Sequence, residues 1–138
     1  KRDFKFRKKL SHKLNPQSIV LLQGPIGAGK TSFVKGIANG LSISEDITSP
    51  TFALSHHYNS GKIPLIHLDL YRLENISSAK EVFFSEEEEA IQRQAILVIE
   101  WPELILPIIE LYSLIEFSYG EKFGRNYKIS DYNKSIDS

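Results

Sequence analysis

Eight residues, Gly24-Pro25-Ile26-Gly27-Ala28-Gly29-Lys30-Thr31, constrain this chain more than any others. They match the pattern G-x-x-x-x-G-K-[ST] at every fixed position. The flanks suit the pattern. Ile19-Val20-Leu21-Leu22 reads as a buried strand, and Phe33, Val34, Ile37, Ala38 and Leu41 recur at the spacing of one helix face. Strand, glycine loop and helix in that order make a cradle for phosphate. Glycine lets the backbone bend where a Cβ would block it. The first turn of the helix adds unpaired N–H donors and a favourable dipole. Lys30 suits the outer phosphates of a triphosphate, and the Thr31 hydroxyl suits Mg²⁺. The alternative is a chance glycine loop with an exposed lysine. The complete pattern in its strand–helix setting argues against it.

Composition narrows the rest. The 138 residues suit a single domain, and 41% hydrophobic content supports a real core. Seventeen basic and seventeen acidic side chains cancel, so bulk charge does not announce a nucleic-acid or membrane partner. With no cysteine, disulfides and thiolate metal sites are excluded. No apolar run approaches the ~20 residues of a membrane span, and no signal peptide is visible. The chain also lacks methionine, which implies that Lys1 is not the translated start. Basic residues crowd the first thirteen positions and Glu86 to Glu89 form an acidic run. Both read as solvated faces.

Periodicity predicts an amphipathic helix over Phe4–Leu14, ended by Asn15-Pro16, then a strand over Ser18–Gln23 and a helix to about Leu41. Strands over Thr51–Tyr58 and Ile63–Leu68 flank the turn Asn59–Lys62 and read as a hairpin, with Pro64 keeping the second start irregular. Glu74–Gln94 reads as helix with a break near Ser85. Ala95–Ile99 is the most apolar run and predicts a central strand buried on both faces. Leu111–Ser118 and Tyr127–Ser130 read as further strands around a turn near Gly120 and Gly124, and residues 131–138 as a polar, frayed tail. The sum is an α/β, P-loop NTPase-like three-layer fold over residues 1–138. Its central sheet is mainly parallel, with an added antiparallel hairpin.

Three further stretches can serve the loop. Ser49-Pro50-Thr51 places two hydroxyls around a fixed-φ proline, as a segment sensing the γ-phosphate would; an ordinary capped turn is the alternative. Asp69 follows a strand, where it can reach Mg²⁺ through water, orient an attacking water or form a salt bridge with Arg72. Glu100 ends the most apolar strand, where a carboxylate completes the Mg²⁺ shell in P-loop folds or merely caps the strand. Trp101 either packs on the nucleotide or is simply packed. Asn133-Lys134-Ser135-Ile136-Asp137 imitates a guanine-reading N-K-x-D, but its aspartate falls one residue late.

GPIGAGKT, SPTF, HLDLYRL (His67 to Leu73) and IEWPE (Ile99 to Glu103), in this order and spacing, resemble the TsaE (YjeE) family of small P-loop ATPases. The likeness covers roughly Phe4 to Glu103. It implies a cytoplasmic protein that binds ATP and Mg²⁺ and acts with TsaB and TsaD in threonylcarbamoylation of adenosine 37 of tRNA, touching tRNA only through that complex. It implies Lys30, Asp69 and Glu100 as catalytic residues and Thr31, Glu100 and Asp69 around the metal. The nucleotide set it implies is Gly24, Ile26, Gly27, Ala28, Gly29, Lys30, Thr31, Ser32, Ser49, Thr51 and Trp101. The chain departs from the family after Leu73: Glu74 to Ala79 carries neither the Pro nor the Gly found there, which bears on partner docking rather than on the nucleotide site. Two rival readings use the same loop: a nucleotide-gated adaptor with incidental hydrolysis, and a small-molecule kinase, which would need a basic lid. A third makes the basic first segment a direct RNA contact.

Overall fold

A computed structural model describes residues 14–25, 29–48, 54–119 and 125–134. The helix expected over Phe4–Leu14 lies, up to position 13, outside the described residues, as do the SPTF segment and the turn at Gly120–Gly124. Six strands form one sheet: β1 (Ile19–Gln23), β2 (Ser55–Tyr58), β3 (Leu65–Asp69), β4 (Ile96–Glu100), β5 (Leu111–Tyr119) and β6 (Arg125–Asn133), in the order β2-β3-β4-β1-β5-β6. β3, β4, β1 and β5 run parallel. β2 and β6 add antiparallel pairs at the two edges, so the sheet carries two such pairings rather than one.

Two helices cover the sheet. α1 (Lys30–Gly40) and α2 (Ile76–Arg93) lie on opposite faces, because β1 and β4 alternate between two apolar clusters. Val20, Leu22, Ile96 and Val98 pack with Phe33, Val34 and Ile37 of α1. Leu21, Leu97 and Ile99 pack with Ala79, Phe83 and Ala90 of α2. Strands so buried need apolar residues at every position, which explains the unbroken runs. Each fully buried Leu or Ile here contributes about 1.5–3 kcal/mol. The three-layer, mainly parallel expectation holds.

Several boundaries differ from the sequence reading for identifiable reasons. α2 passes through Ser85 without a break. Asn75 Oδ1 caps it by accepting from the Ser78 N–H at 2.8 Å. Gln94, in left-handed conformation, ends it. The acidic run is not wholly solvated. Glu86 reaches β2, accepting from Ser55 Oγ at 3.0 Å and meeting His57 Nε2 at 2.8 Å. β3 starts at Leu65, after Pro64, whose carbonyl accepts from the Ile96 N–H at 2.8 Å. β6 runs to Asn133, into the stretch read as tail. β5 supplies a backbone partner for each of its residues, and Tyr132 stacks on Tyr112 with centroids 5.0 Å apart. An edge strand needs backbone pairing more than apolar side chains, so its polar sequence concealed it.

Among the described residues, no helix is long and apolar enough to cross a membrane. At the end of β1, Gly24 has φ +150°, and a Cβ there would lie 2.7 Å from the Phe117 carbonyl oxygen and 2.8 Å from the Phe117 Cβ. Gly24→Ala must push the loop off β5. It should cost at least about 1 kcal/mol of stability, measured as a lowered denaturation midpoint in urea.

Candidate functional site

β1 delivers Gly24 and α1 begins at Lys30, so both ends of the glycine loop sit at the carboxyl edge of the parallel sheet. Ile26, Gly27 and Ala28 lie outside the described residues. Gly29 precedes the helix at φ 103°, a conformation that favours glycine, and its carbonyl accepts from the Phe33 N–H at 3.0 Å. Among the described residues no side chain caps α1, so its first-turn N–H groups remain the natural seat for an anion. Thr31 is partly buried and Ser32 exposed.

Lys30 is only 6% exposed. Its Nζ donates to the Gly24 carbonyl at 2.7 Å and lies 3.5 Å from the centroid of the Trp101 ring. Burial pushes the ammonium pKa down, against the pull of Glu100, Asp69 and Glu103. Trp101 takes the left-handed conformation, φ 57°, and its ring packs 4.8 Å from that of Tyr71. Tyr71 itself is 55% exposed.

The two acids meet through strand register. Asp69 ends β3, Glu100 ends β4, and they are direct partners across the parallel pair. Side chains alternate along a strand. His67 and Asp69 therefore share a face with Leu65, and Glu100 shares one with Val98, both on the side covered by α1. Glu100 is 4% exposed, and one carboxylate oxygen lies 2.5 Å from Nε2 of the fully buried His67. Asp69 is half-buried, and its Oδ1 accepts from the Tyr71 N–H at 2.9 Å. Burial raises the Asp69 pKa. The Tyr71 N–H bond opposes this, Glu100 adds to it, and His67 and Lys30 draw it back down. Arg72 is exposed, and among the described residues no ion pair joins it to Asp69. Gln23 Nε2 donates to Glu103 at 3.3 Å beside the same edge.

Lys30, Asp69, Glu100 and Trp101 thus converge on one edge of the sheet. Ser49 and Thr51 lie outside the described residues, but both flanks of their segment are anchored. The Thr48 N–H donates to the Tyr58 hydroxyl at 3.3 Å, and the Leu54 carbonyl accepts from the Asp69 N–H at 2.9 Å. His67 is the functional candidate that the sequence reading passed over. A histidine between Leu65, Ile66 and Leu68 on a buried strand was the available signal.

Magnesium fits this donor set. Among the described residues no group of three or more His, Asp or Glu side chains forms a cation cage. Magnesium seldom uses one; it takes one or two carboxylates plus phosphate oxygens and water. Asp69 and Glu100, paired across neighbouring strands, are carboxylates of that kind.

The Asp69 shift has a stability consequence. A carboxyl with raised pKa binds its proton more tightly folded than unfolded, so its charge costs stability at neutral pH. The cost disappears as pH falls through the raised value. Asp69→Asn, without nucleotide or magnesium, should melt higher than wild type at pH 7, with the gap closing on acidification. Thermal melts across pH check this, and an unchanged gap would contradict it.

Comparison with known proteins gives the family. The family model described as threonylcarbamoyl adenosine biosynthesis protein TsaE matches residues 2–127. Over 129 residues the chain is 41% identical to the tRNA threonylcarbamoyladenosine biosynthesis protein TsaE of Nostoc sp., covering 92% of this chain and 78% of that protein. The TsaE of Synechocystis sp. is 45% identical over 98 residues, 68% of this chain and 60% of that protein. The crystal structure of Bacillus subtilis YdiB superposes with a TM-score of 0.77 at 25% identity, over 99% of this chain and 82% of that one. With its motifs, topology and relatives in agreement, the chain belongs to the TsaE family.

Proposed function

We propose that this chain is a cytoplasmic, single-domain ATPase that binds magnesium-ATP, hydrolyses it slowly, and sustains tRNA threonylcarbamoyladenosine synthesis together with TsaB and TsaD. The observation that carries the reading is the register of Asp69 with Glu100 opposite Lys30 at the head of α1. Two acids and one lysine at the mouth of a glycine loop are what phosphoryl transfer to water needs.

Lys30 exchanges the Gly24 carbonyl and the Trp101 ring for phosphate oxygens, joined by loop and helix N–H groups. Thr31 and Glu100 hold magnesium, with Asp69 beside them. The metal, when bound, offsets negative charge that builds on the phosphates. Asp69 orients the attacking water. An aspartate remains a weak base, so positioning and electrostatics carry most of the rate. Ser49 and Thr51 respond to the γ-phosphate.

Arg72, close to Asp69 in sequence, is exposed, and among the described residues no ion pair joins the two. The isolated chain should therefore turn over slowly. A supplied arginine is worth roughly 10³–10⁵ in enzymes of this kind, which leaves room for completion by TsaB–TsaD.

Lys30→Ala should abolish phosphate release, and cognate TsaB–TsaD should stimulate the wild type. In multiple-turnover tRNA modification, ATP should sustain repeated cycles and a non-hydrolysable analogue should not. An analogue that supports repeated turnover would make the chain a nucleotide-gated adaptor instead. Transfer of labelled γ-phosphate to a metabolite rather than to water would make it a kinase.

A further inference from the structure

His67 occupies a position that packing alone does not explain. It lies mid-strand in β3, fully buried, on the face where Leu65, Ile96, Val98, Val20 and Leu22 form an apolar core under α1. An imidazole there gives up its water at both ring nitrogens. Nε2 meets Glu100 at 2.5 Å, but Nδ1, equally buried, has no hydrogen-bond partner among the described residues. A leucine or valine would fill the same space with no polar atom of its own to bury. The one return for the histidine is its contact with the Glu100 carboxylate.

We propose that His67 is a positioning residue: its Nε2–H holds one oxygen of Glu100, fixes the carboxylate rotamer, and leaves the other oxygen to face the magnesium of the bound nucleotide. This rests on the function proposed above and adds to it a residue that does not touch substrate. The geometry follows from the fold. β3 and β4 are parallel, His67 stands opposite Val98, and Glu100 is two residues further on the same face. The imidazole therefore approaches Glu100 from inside the sheet, along the strands, and not from the mouth where Lys30 lies. An ionised carboxylate only accepts, so Nε2 must carry the proton. Nδ1 is then bare, which matches its lack of an acceptor. Outer-shell partners of metal ligands typically matter at the level of 10–100-fold in metal affinity.

The test compares ADP binding with magnesium and with EDTA by calorimetry, in wild type, His67→Leu and His67→Gln. Leucine keeps bulk but lacks a donor; glutamine restores one at about the Nε2 position. The wild type should bind magnesium-ADP more tightly than free ADP. His67→Leu should lose about 10–100-fold of that magnesium-dependent gain, with ADP affinity in EDTA unchanged, and His67→Gln should recover most of it. An equal loss in both conditions, or an undiminished gain in His67→Leu, would overturn the positioning role. A wild type that binds no ADP in either condition would instead sink the parent reading. Long-range ¹H–¹⁵N spectra of the wild type test the arrangement without a variant. A proton on Nε2 of His67 is expected, and a bare Nε2 would overturn the proposal.

Discussion

Two carboxylates stand side by side at the ends of neighbouring parallel strands, and the one buried ammonium among the described residues answers them. That three-way balance organises this edge of the sheet. Burial and the neighbouring Glu100 raise the cost of ionising Asp69, while Lys30 is driven toward neutrality by burial and drawn back toward its charged form by the same acids. Each member also has a hydrogen-bond partner of its own: Glu100 meets His67, Asp69 accepts from the Tyr71 N–H, and Lys30 donates to the Gly24 carbonyl. The fold supplies the alignment through backbone pairing, since registering Asp69 with Glu100 requires only that β3 and β4 run parallel and in step.

The turns around the site are sharp in the places where this balance needs them. Gly24 lets the chain pass against Phe117, and Gly29 lets it swing into α1. Trp101 adopts a left-handed conformation without being glycine, which costs of order 1–3 kcal/mol. It follows Glu100 directly, and the turn brings its ring beneath Lys30 and against Tyr71. The cation–π contact, of roughly 0.5–2 kcal/mol, offsets part of that strain. A strained residue so placed is held in tension by the site it serves.

Much of this was legible in the chain because its signals are local. The glycine loop, the apolar runs of β1 and β4 and the acids that end β3 and β4 are each short stretches with a physical meaning of their own. What escaped depends on partners distant in sequence. β6 is polar and is defined by its pairing with β5. α2 persists through Ser85 because Asn75 caps it and Phe83 and Ala90 pack on the sheet. His67 was read as part of a motif leading to Asp69, since nothing near it in sequence announces that Glu100, thirty-three residues on, is its partner. The acidic run looked solvated until Glu86 met His57 on β2.

Trp101 is the single tryptophan of the chain and lies against the lysine expected to move to phosphate. Its fluorescence, titrated with magnesium-ATP alongside calorimetry, tests most directly whether this edge of the sheet grips a nucleotide. A saturable, one-to-one change in emission with matching heat is expected. A flat emission and no heat, with cognate TsaB and TsaD also present, would contradict it.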